Sequence, residues 1–488
     1  MYEQAPRNSA ARRAADARPV SDEADASPPG TVPVVSDDRL LGPRYRAPTL
    51  GVVGLVSLIA LEALAVATVM PQAATDLHGL SLYGFVFGGP LAASMLGMVA
   101  AGRWSDRRGP LRPLWAGVAG FVSGLVVGGI APDMTWLLFG RLIAGLGSGL
   151  LSVSLYALVG RLYPATLHAR VFTAFSAAWV LPSLLGPGLS GLVADAFGWR
   201  WSLLGVALLT LPAAALLKRI ALTPPGAHAH MRHAARPLLW AMGAAASALM
   251  LHVVGQHGSD PHAIGATLST AWWLMPAALA LLLLAAQRLL PAGTLTARAG
   301  LPAAIALNGL AQAAFFAAEA FLPLLLFRER GLSVGTAGLV LSAGAVTWSA
   351  GAACRGAVGA RVGTVMLLRI GLSGVAIGIA LSAAALLTTA PIVTATAGWI
   401  VAGAGMGLIS PTLSVMTLAL SPPERHGETG AALRLSAALS TTSALALGGL
   451  LFAALLPVSA CAAYLSSMGL AAALAVSGVV IAGRTKPA

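Results

Sequence analysis

Three ionisable side chains, Glu62, Arg141 and Glu319, lie inside long apolar runs of this 488-residue sequence. An ionisable group at the depth of a lipid bilayer costs roughly 2.5–3.5 kcal/mol on insertion scales, so each one needs a function or a partner. A buried carboxyl can hold either a proton or a cationic group, but it cannot hold both well. These residues therefore suggest exchange of protons and cations, and we predict no catalytic residue.

Glu62 has only apolar residues on its own helical face, which are Leu55, Leu58, Ile59, Ala65, Val66 and Val69. Because no polar neighbour on that helix satisfies the carboxyl, we predict Glu62 as the principal proton-coupling carboxylate. The alternative is a structural acid that pairs with an arginine of another helix.

Glu319 shares a helical face with Asn308 and Gln312, and Phe315 and Phe316 lie between them. Amides, an acid and aromatic rings on one stripe predict the lining of a cavity. We therefore predict the two amides and the two phenylalanines as substrate-binding residues, and Glu319 as an auxiliary proton-coupling residue. The alternative is an amide ladder that holds helices together.

A second aromatic stripe carries Phe175 and Trp179, with Ser183 one turn further along. Both aromatic residues are predicted to bind substrate. Ordinary packing between helices is the alternative for this stripe.

The composition indicates an integral membrane protein, because 57% of the residues are hydrophobic and 10% are charged. The formal charge of +13 comes mostly from basic residues in short segments between apolar runs, where they orient spans, so no nucleic-acid partner is predicted. The sequence contains no nucleotide-binding loop and no metal-ligand spacing, and we predict neither a cofactor nor a metal.

Fourteen apolar runs have about the length that a membrane-crossing helix needs. They lie near residues 48–71, 82–101, 112–131, 135–160, 168–194, 199–217, 238–256, 269–290, 301–326, 334–354, 364–389, 392–420, 428–456 and 458–482. With a cytoplasmic N-terminus, nearly all arginines fall near cytoplasmic ends, as the positive-inside rule requires. The C-terminus is then cytoplasmic as well.

An internal repeat divides these runs. Residues 144–152 recur as residues 402–410, and Leu61-Glu62-Ala63 and Arg107-Arg108-Gly109 have weaker echoes at nearly the same offset. The predicted domains are a disordered cytoplasmic tail (1–46), a six-helix bundle (47–220), a linker with two extra helices (221–300), a second six-helix bundle (301–483) and a short tail (484–488). The fold class is all-α integral membrane.

The charged segment 102–112 resembles the signature loop between the second and third helices of the major facilitator superfamily of secondary transporters. Gly102, Asp106, Arg107 and Gly109 match its pattern, whereas Trp104 replaces a leucine. Glycines there allow tight packing and a sharp turn. The resemblance implies that this loop controls the conformational cycle.

Three further segments resemble motifs of the same family. Residues 61–71 are similar to the first-helix motif of fourteen-helix antiporters, and residues 138–147 to the fourth-helix motif, whose arginine is implicated in proton coupling. Arg141 would be that residue, with snorkelling to the outer interface as its alternative. Gly186, Pro187 and Gly191 resemble an antiporter motif of the fifth helix, with a conformational role.

The resemblance implies a fourteen-helix drug/proton antiporter with two pseudo-symmetric bundles and two inserted helices. We expect a monomer in a bacterial cell membrane that exports amphipathic or cationic small molecules in exchange for protons. The alternatives are a proton-coupled symporter or facilitator of a small metabolite and, in a different class, a non-transporting membrane sensor or a lipid flippase.

The topology can be tested with reporter fusions. Because the charge distribution and the repeat agree on fourteen spans, fusions at Pro224 and at Pro291 should both report the cytoplasm. An external signal from either fusion would mean that the extra pair of helices is miscounted.

Overall fold

A computed structural model describes residues 40–218, 220, 236–257, 264–387, 389–422 and 426–486. These residues form fourteen α-helices, and each predicted run corresponds to one helix. In chain order, α1 to α14 are Arg46–Asp76, Tyr83–Arg108, Leu111–Gly129, Met134–Leu162, Ala165–Phe197, Arg200–Ala215, Arg236–His257, Ile264–Leu289, Leu301–Arg328, Val334–Val362, Thr364–Ala383, Ile392–Ala419, His426–Leu455 and Ala460–Ile481. Nearly all of the predicted N-terminal tail lies outside the described residues.

Length and hydropathy qualify eleven helices of the described part as candidate membrane spans. The other three, α6, α7 and α8, contain shorter apolar stretches there, Arg200–Ala215, Met242–Leu251 and Pro276–Leu289. The all-helical class is therefore confirmed, whereas fourteen membrane crossings stay a prediction.

Helices α1–α6, here called the first repeat, and α9–α14, the second repeat, share one pattern of contacts. In the first repeat α4 packs against α2 and α3, while α1 packs against α5 and α6. In the second repeat α12 packs against α10 and α11, while α9 packs against α13 and α14. Each helix thus has the same neighbours as its counterpart eight helices later.

The glycine motif that recurs in the sequence makes the closest of these contacts. Gly145 and Gly149 of α4 lie against the backbone of α2, and Gly147 between them lies against α3. A Cβ atom at any of these positions would overlap backbone atoms of the neighbouring helix. The counterparts in α12 lie against α10 and α11 in the same way, and they are Gly403, Gly407 and Gly405.

The turn between the second and third helix of each repeat also needs a glycine. Gly109 follows α2 with φ 80°, and Gly363 precedes α11 with φ 78°. Both values lie in the region that side chains with a Cβ rarely adopt. The sharp turn predicted at Gly109 is thus present, but tight packing at Gly102 is wrong, because a Cβ there would meet nothing within 4 Å.

The two inserted helices attach where the repeats meet. Helix α7 packs against α8 and also against α2 and α13, which belong to different repeats. Ala244 and Ala245 of α7 join Ala92 and Met95 of α2 in an apolar cluster separate from the main core. The pair therefore bridges the two repeats along the α2/α13 seam.

The glycine packing predicts opposite signs for two alanine substitutions. Gly147→Ala should lower the melting temperature in detergent, by the equivalent of about 1–3 kcal/mol, because the methyl group overpacks the α3/α4 contact. Gly469→Ala is the control, since that glycine is exposed in α14 with nothing within 4 Å, and it should be neutral or stabilising. Equal melting temperatures for the two variants would contradict the close contact.

Candidate functional site

Glu62 and Arg141 form an ion pair that joins α1 to α4. Each residue is only 7% exposed. The Arg141 guanidinium reaches the Glu62 carboxylate, and its Nε lies 3.5 Å from the Val86 carbonyl oxygen of α2. The site therefore connects three helices of the first repeat.

The ion pair gives the Glu62 carboxyl a partner from another helix. No polar side chain of α1 satisfies it, as predicted, but α4 supplies a cation that helical periodicity could not reveal. The pairing matches the alternative in which Glu62 meets an arginine of another helix. Snorkelling of Arg141 to an interface is wrong, because its side chain is buried and points to Glu62.

Glu319 occupies the corresponding place in α9, the first helix of the second repeat. Its side chain is 9% exposed, and it makes no hydrogen bond or ion pair with any described residue. The residue 258 positions after Arg141 is Trp399 of α12, so the position of the cation holds an indole. The second repeat thus keeps the buried acid and lacks its counter-charge.

An aromatic cluster lies in the second repeat, where α9, α10 and α12 meet. Phe315 stacks on Trp399 with 4.6 Å between ring centroids and packs edge-on against Trp348 at 5.1 Å. Phe316 packs edge-on against Phe315 at 5.7 Å. The Trp399 indole N–H is buried without an acceptor among the described residues. The cluster thus joins two rings of α9, the helix that carries Glu319, to one tryptophan of α10 and one of α12, and the α12 tryptophan has an unused N–H donor among the described residues.

Sequence reasoning missed both tryptophans of this cluster. Trp348 lies near the middle of α10, although tryptophan favours the ends of membrane helices. This unusual position could have marked Trp348 as a candidate functional residue. Trp399 could have been found by aligning the two repeats, because it occupies the position that corresponds to Arg141. Neither residue belongs to a recognisable motif.

Two of the predicted substrate-binding residues make contacts that link helices. The Asn308 amide donates to the Leu433 carbonyl oxygen of α13 at 3.0 Å, which is what the helix-linking alternative predicts. Phe175 is buried and packs edge-on against Tyr156 of α4, with centroids 5.2 Å apart. Of the remaining predicted substrate-binding residues, Gln312 is half-buried and Trp179 is 47% exposed, so both are more accessible.

The predicted fifth-helix motif lies where the two repeats contact each other. Gly191 faces Gly335 of α10, and the Gly335 N–H donates to the Asp195 carboxylate at 3.0 Å. The Pro187 carbonyl lies against Gly338 of the same helix, and a Cβ on Gly186 would come 3.1 Å from the Leu61 side chain of α1.

A second seam between the repeats was not predicted, whereas the signature loop was. The backbones of α2 and α13 are in direct contact at Gly84 and Gly449. Glycines therefore make the closest contacts at both seams between the repeats. In the loop, Arg107 is exposed at the end of α2, and the side chain of Asp106 lies outside the described residues.

The profile of the Major Facilitator Superfamily matches residues 50–318, more than half of the chain. The chain belongs to this superfamily. It is 30% identical over 218 residues to a probable multidrug-efflux transporter of Mycobacterium tuberculosis, a match that covers 43% of this chain and 46% of that protein. Multidrug resistance protein 3 of Bacillus subtilis is 30% identical over 152 residues, 31% of this chain and 30% of that protein. The match thus spans less than half of each relative.

Solved structures share the fold over nearly the whole chain. A D-xylose-proton symporter superposes with a TM-score of 0.65 at 17% identity, covering 91% of this chain and 98% of that one. A POT family transporter in complex with 5-aminolevulinic acid gives 0.62 at 12% identity, covering 91% and 96%. The superfamily member described here is a multi-pass membrane protein, and its fourteen helices are consistent with the drug/proton antiporter branch.

The Glu62–Arg141 pair can be tested by a double-mutant cycle. Arg141→Leu should destabilise the superfamily member by about 3–5 kcal/mol, because it leaves the buried Glu62 carboxylate uncompensated. Adding Glu62→Leu should recover a large part of that loss in thermal unfolding. Arg161→Leu, at the exposed end of the same helix, is the control and should change stability by less than about 0.5 kcal/mol. Additive losses in the cycle would show that the two charges do not stabilise each other.

Proposed function

We propose that this protein exports amphipathic or cationic small molecules in exchange for protons by alternating access. The observation that carries the proposal is the difference between its two buried acids. In the first repeat Glu62 has a cationic partner, whereas in the second repeat Glu319 has none among the described residues. An acid that alternates between a proton and a cationic substrate must be free of a permanent counter-charge.

The proposed architecture is two six-helix bundles with an inserted pair, fourteen spans in all. The shared contact pattern of α1–α6 and α9–α14 supports it, and so do the matching glycine positions in α4 and α12. The distribution of arginines supports cytoplasmic termini in a bacterial cell membrane. We propose a monomer, because each repeat already has its counterpart within the chain.

Glu319 is the acid that we place first in proton exchange. The predicted priority of Glu62 rested on its place in the first-helix motif and on the lack of a polar neighbour on its own helix. In the folded chain it is Glu319 that has no partner among the described residues. Burying an uncompensated carboxylate is costly, so Glu319 is stabilised by binding either a proton or a cation. Glu62 stays in the coupling machinery through Arg141, because the ion pair opens only when one of its charges is neutralised or moves away.

The aromatic cluster supplies the proposed substrate surface beside Glu319. Phe315 and Glu319 are four residues apart on α9 and so share a face. Ring faces attract cations and stack on planar groups, which adds roughly 0.5–2 kcal/mol per contact. Trp348 and Trp399 therefore join Phe315, Phe316 and Gln312 as proposed binding residues. Asn308 has a structural role in this proposal because its amide is already bonded to α13.

Alternating access requires the repeats to separate at one end and close at the other. The α5/α10 and α2/α13 seams are the proposed gate, since glycines bring their backbones together. In the predicted topology these contacts lie toward the outer side, so the described conformation is closed there. Opening would break the bond between Asp195 and the Gly335 amide.

Similar proteins with named functions support export over uptake. One relative is named as a probable multidrug-efflux transporter and another as a multidrug resistance protein, and the fifth-helix motif of this chain resembles that of antiporters. A proton-coupled symporter of a small metabolite is the competing function, and it differs in the direction of coupling.

Transport in inverted membrane vesicles tests the proposal and the order of the two acids. Wild-type protein should accumulate a cationic dye only when the lumen is acidic, because outward proton flow drives inward dye flow. Glu319→Gln should reduce that accumulation at least tenfold, while the dye still equilibrates down its own gradient. Glu62→Gln should slow both processes together, because Arg141 loses its partner.

The other outcomes are equally informative. Loss of pH-driven accumulation in Glu62→Gln alone, with Glu319→Gln active, would restore Glu62 as the principal carboxylate. Accumulation driven by an alkaline lumen would contradict antiport and favour symport. Asn308→Ala is the matched control for the α9 face and should leave coupling intact.

A further inference from the structure

A cavity of about 410 Å³ lies at the end of the second repeat, away from the buried acids. It is formed by the last turns of α10 and α12, the first turn of α11 and the C-terminal 3₁₀ turn Ala482–Thr485. Helix α9, which carries Glu319, contributes no lining residue. The positive-inside rule places this end on the cytoplasmic side.

Two cations line the cavity, Arg355 from α10 and Lys486 after the C-terminal turn. No carboxylate of the described residues lines it, and the ion pair recorded among those residues is the distant one between Glu62 and Arg141. The Arg369 guanidinium lies against Gly483 beside the cavity and adds to the positive charge. Uncompensated cations around a concave site favour an anionic ligand.

Three threonines line the cavity, and the hydroxyl of one of them has no hydrogen-bond partner among the described residues. Thr412 and Thr485 donate to carbonyl oxygens of their own helices, at 2.6 and 2.7 Å. Thr364, exposed at the start of α11, has no hydrogen bond with the described residues. An oxyanion held by Arg355 and Lys486 could accept a bond from Thr364.

The rest of the lining is apolar, and Val415, Met416 and Leu420 are among its residues. A free inorganic anion would gain nothing from these side chains, whereas a lipid offers a charged phosphate and an apolar body in one molecule. Basic pockets between membrane helices on the cytoplasmic side suit anionic headgroups in this way.

We infer that this cavity binds an anionic phospholipid, with its phosphate held between Arg355 and Lys486 and its glycerol and upper acyl groups on the apolar wall. The ligand would tie the C-terminal turn to the ends of α10, α11 and α12. This inference does not depend on the transported substrate or on the coupling ion.

Native mass spectrometry and thermal unfolding of the full-length protein in detergent test the inference. Phosphatidylglycerol should form a stoichiometric adduct and raise the melting temperature, whereas phosphatidylcholine and inorganic phosphate should do neither. Arg355→Gln combined with Lys486→Gln should weaken the adduct at least tenfold. Exchange of the two cations, Arg355→Lys with Lys486→Arg, should largely retain it.

The control removes the same charge elsewhere. Arg112→Gln combined with Arg161→Gln changes two exposed arginines of the first repeat that do not line the cavity and should leave binding unchanged. If both double variants weakened lipid binding equally, the effect would depend only on net charge, and the proposed site would be overturned. Binding of inorganic phosphate as tight as that of the lipid would overturn the lipid assignment.

Discussion

The cost of holding charge inside an apolar protein is the constraint on which the rest of this structure depends. In the first repeat the cost is met within the fold, because Arg141 of α4 reaches Glu62 of α1. In the second repeat the same place in α9 holds Glu319, and the position matching Arg141 holds Trp399. The two halves of one repeated architecture therefore differ in charge where they are alike in position.

Close helix packing makes that pairing possible. Glycines on two sides of α4 let its backbone approach α2 and α3 at once, which holds Arg141 at a fixed depth beside α1. The same spacing in α12 brings Trp399 to Phe315, where it stacks instead of forming an ion pair. Packing geometry is thus common to both repeats, and the side chain placed on it decides whether the result is a charge pair or an aromatic surface.

Helix α7 imposes a further asymmetry, because it touches α2 and α13 while no inserted helix of the described part packs on the α5/α10 seam. The apolar cluster that it forms is separate from the main core. The two seams between the repeats therefore differ in what covers them, although both rely on glycines for their closest contact.

The amino-acid sequence by itself determined the membrane class, the fourteen helices and the repeat, because hydropathy, charge and glycine spacing are local properties of the chain. It also singled out Glu62, Arg141 and Glu319 through the cost of burying them. Only the tertiary structure decided which acid has a partner, that Asn308 bonds to α13, and that Trp348 and Trp399 join Phe315. The physical reason is that helical periodicity places side chains on a face of their own helix, whereas a counter-charge or a stacking ring arrives from another helix far away in the chain.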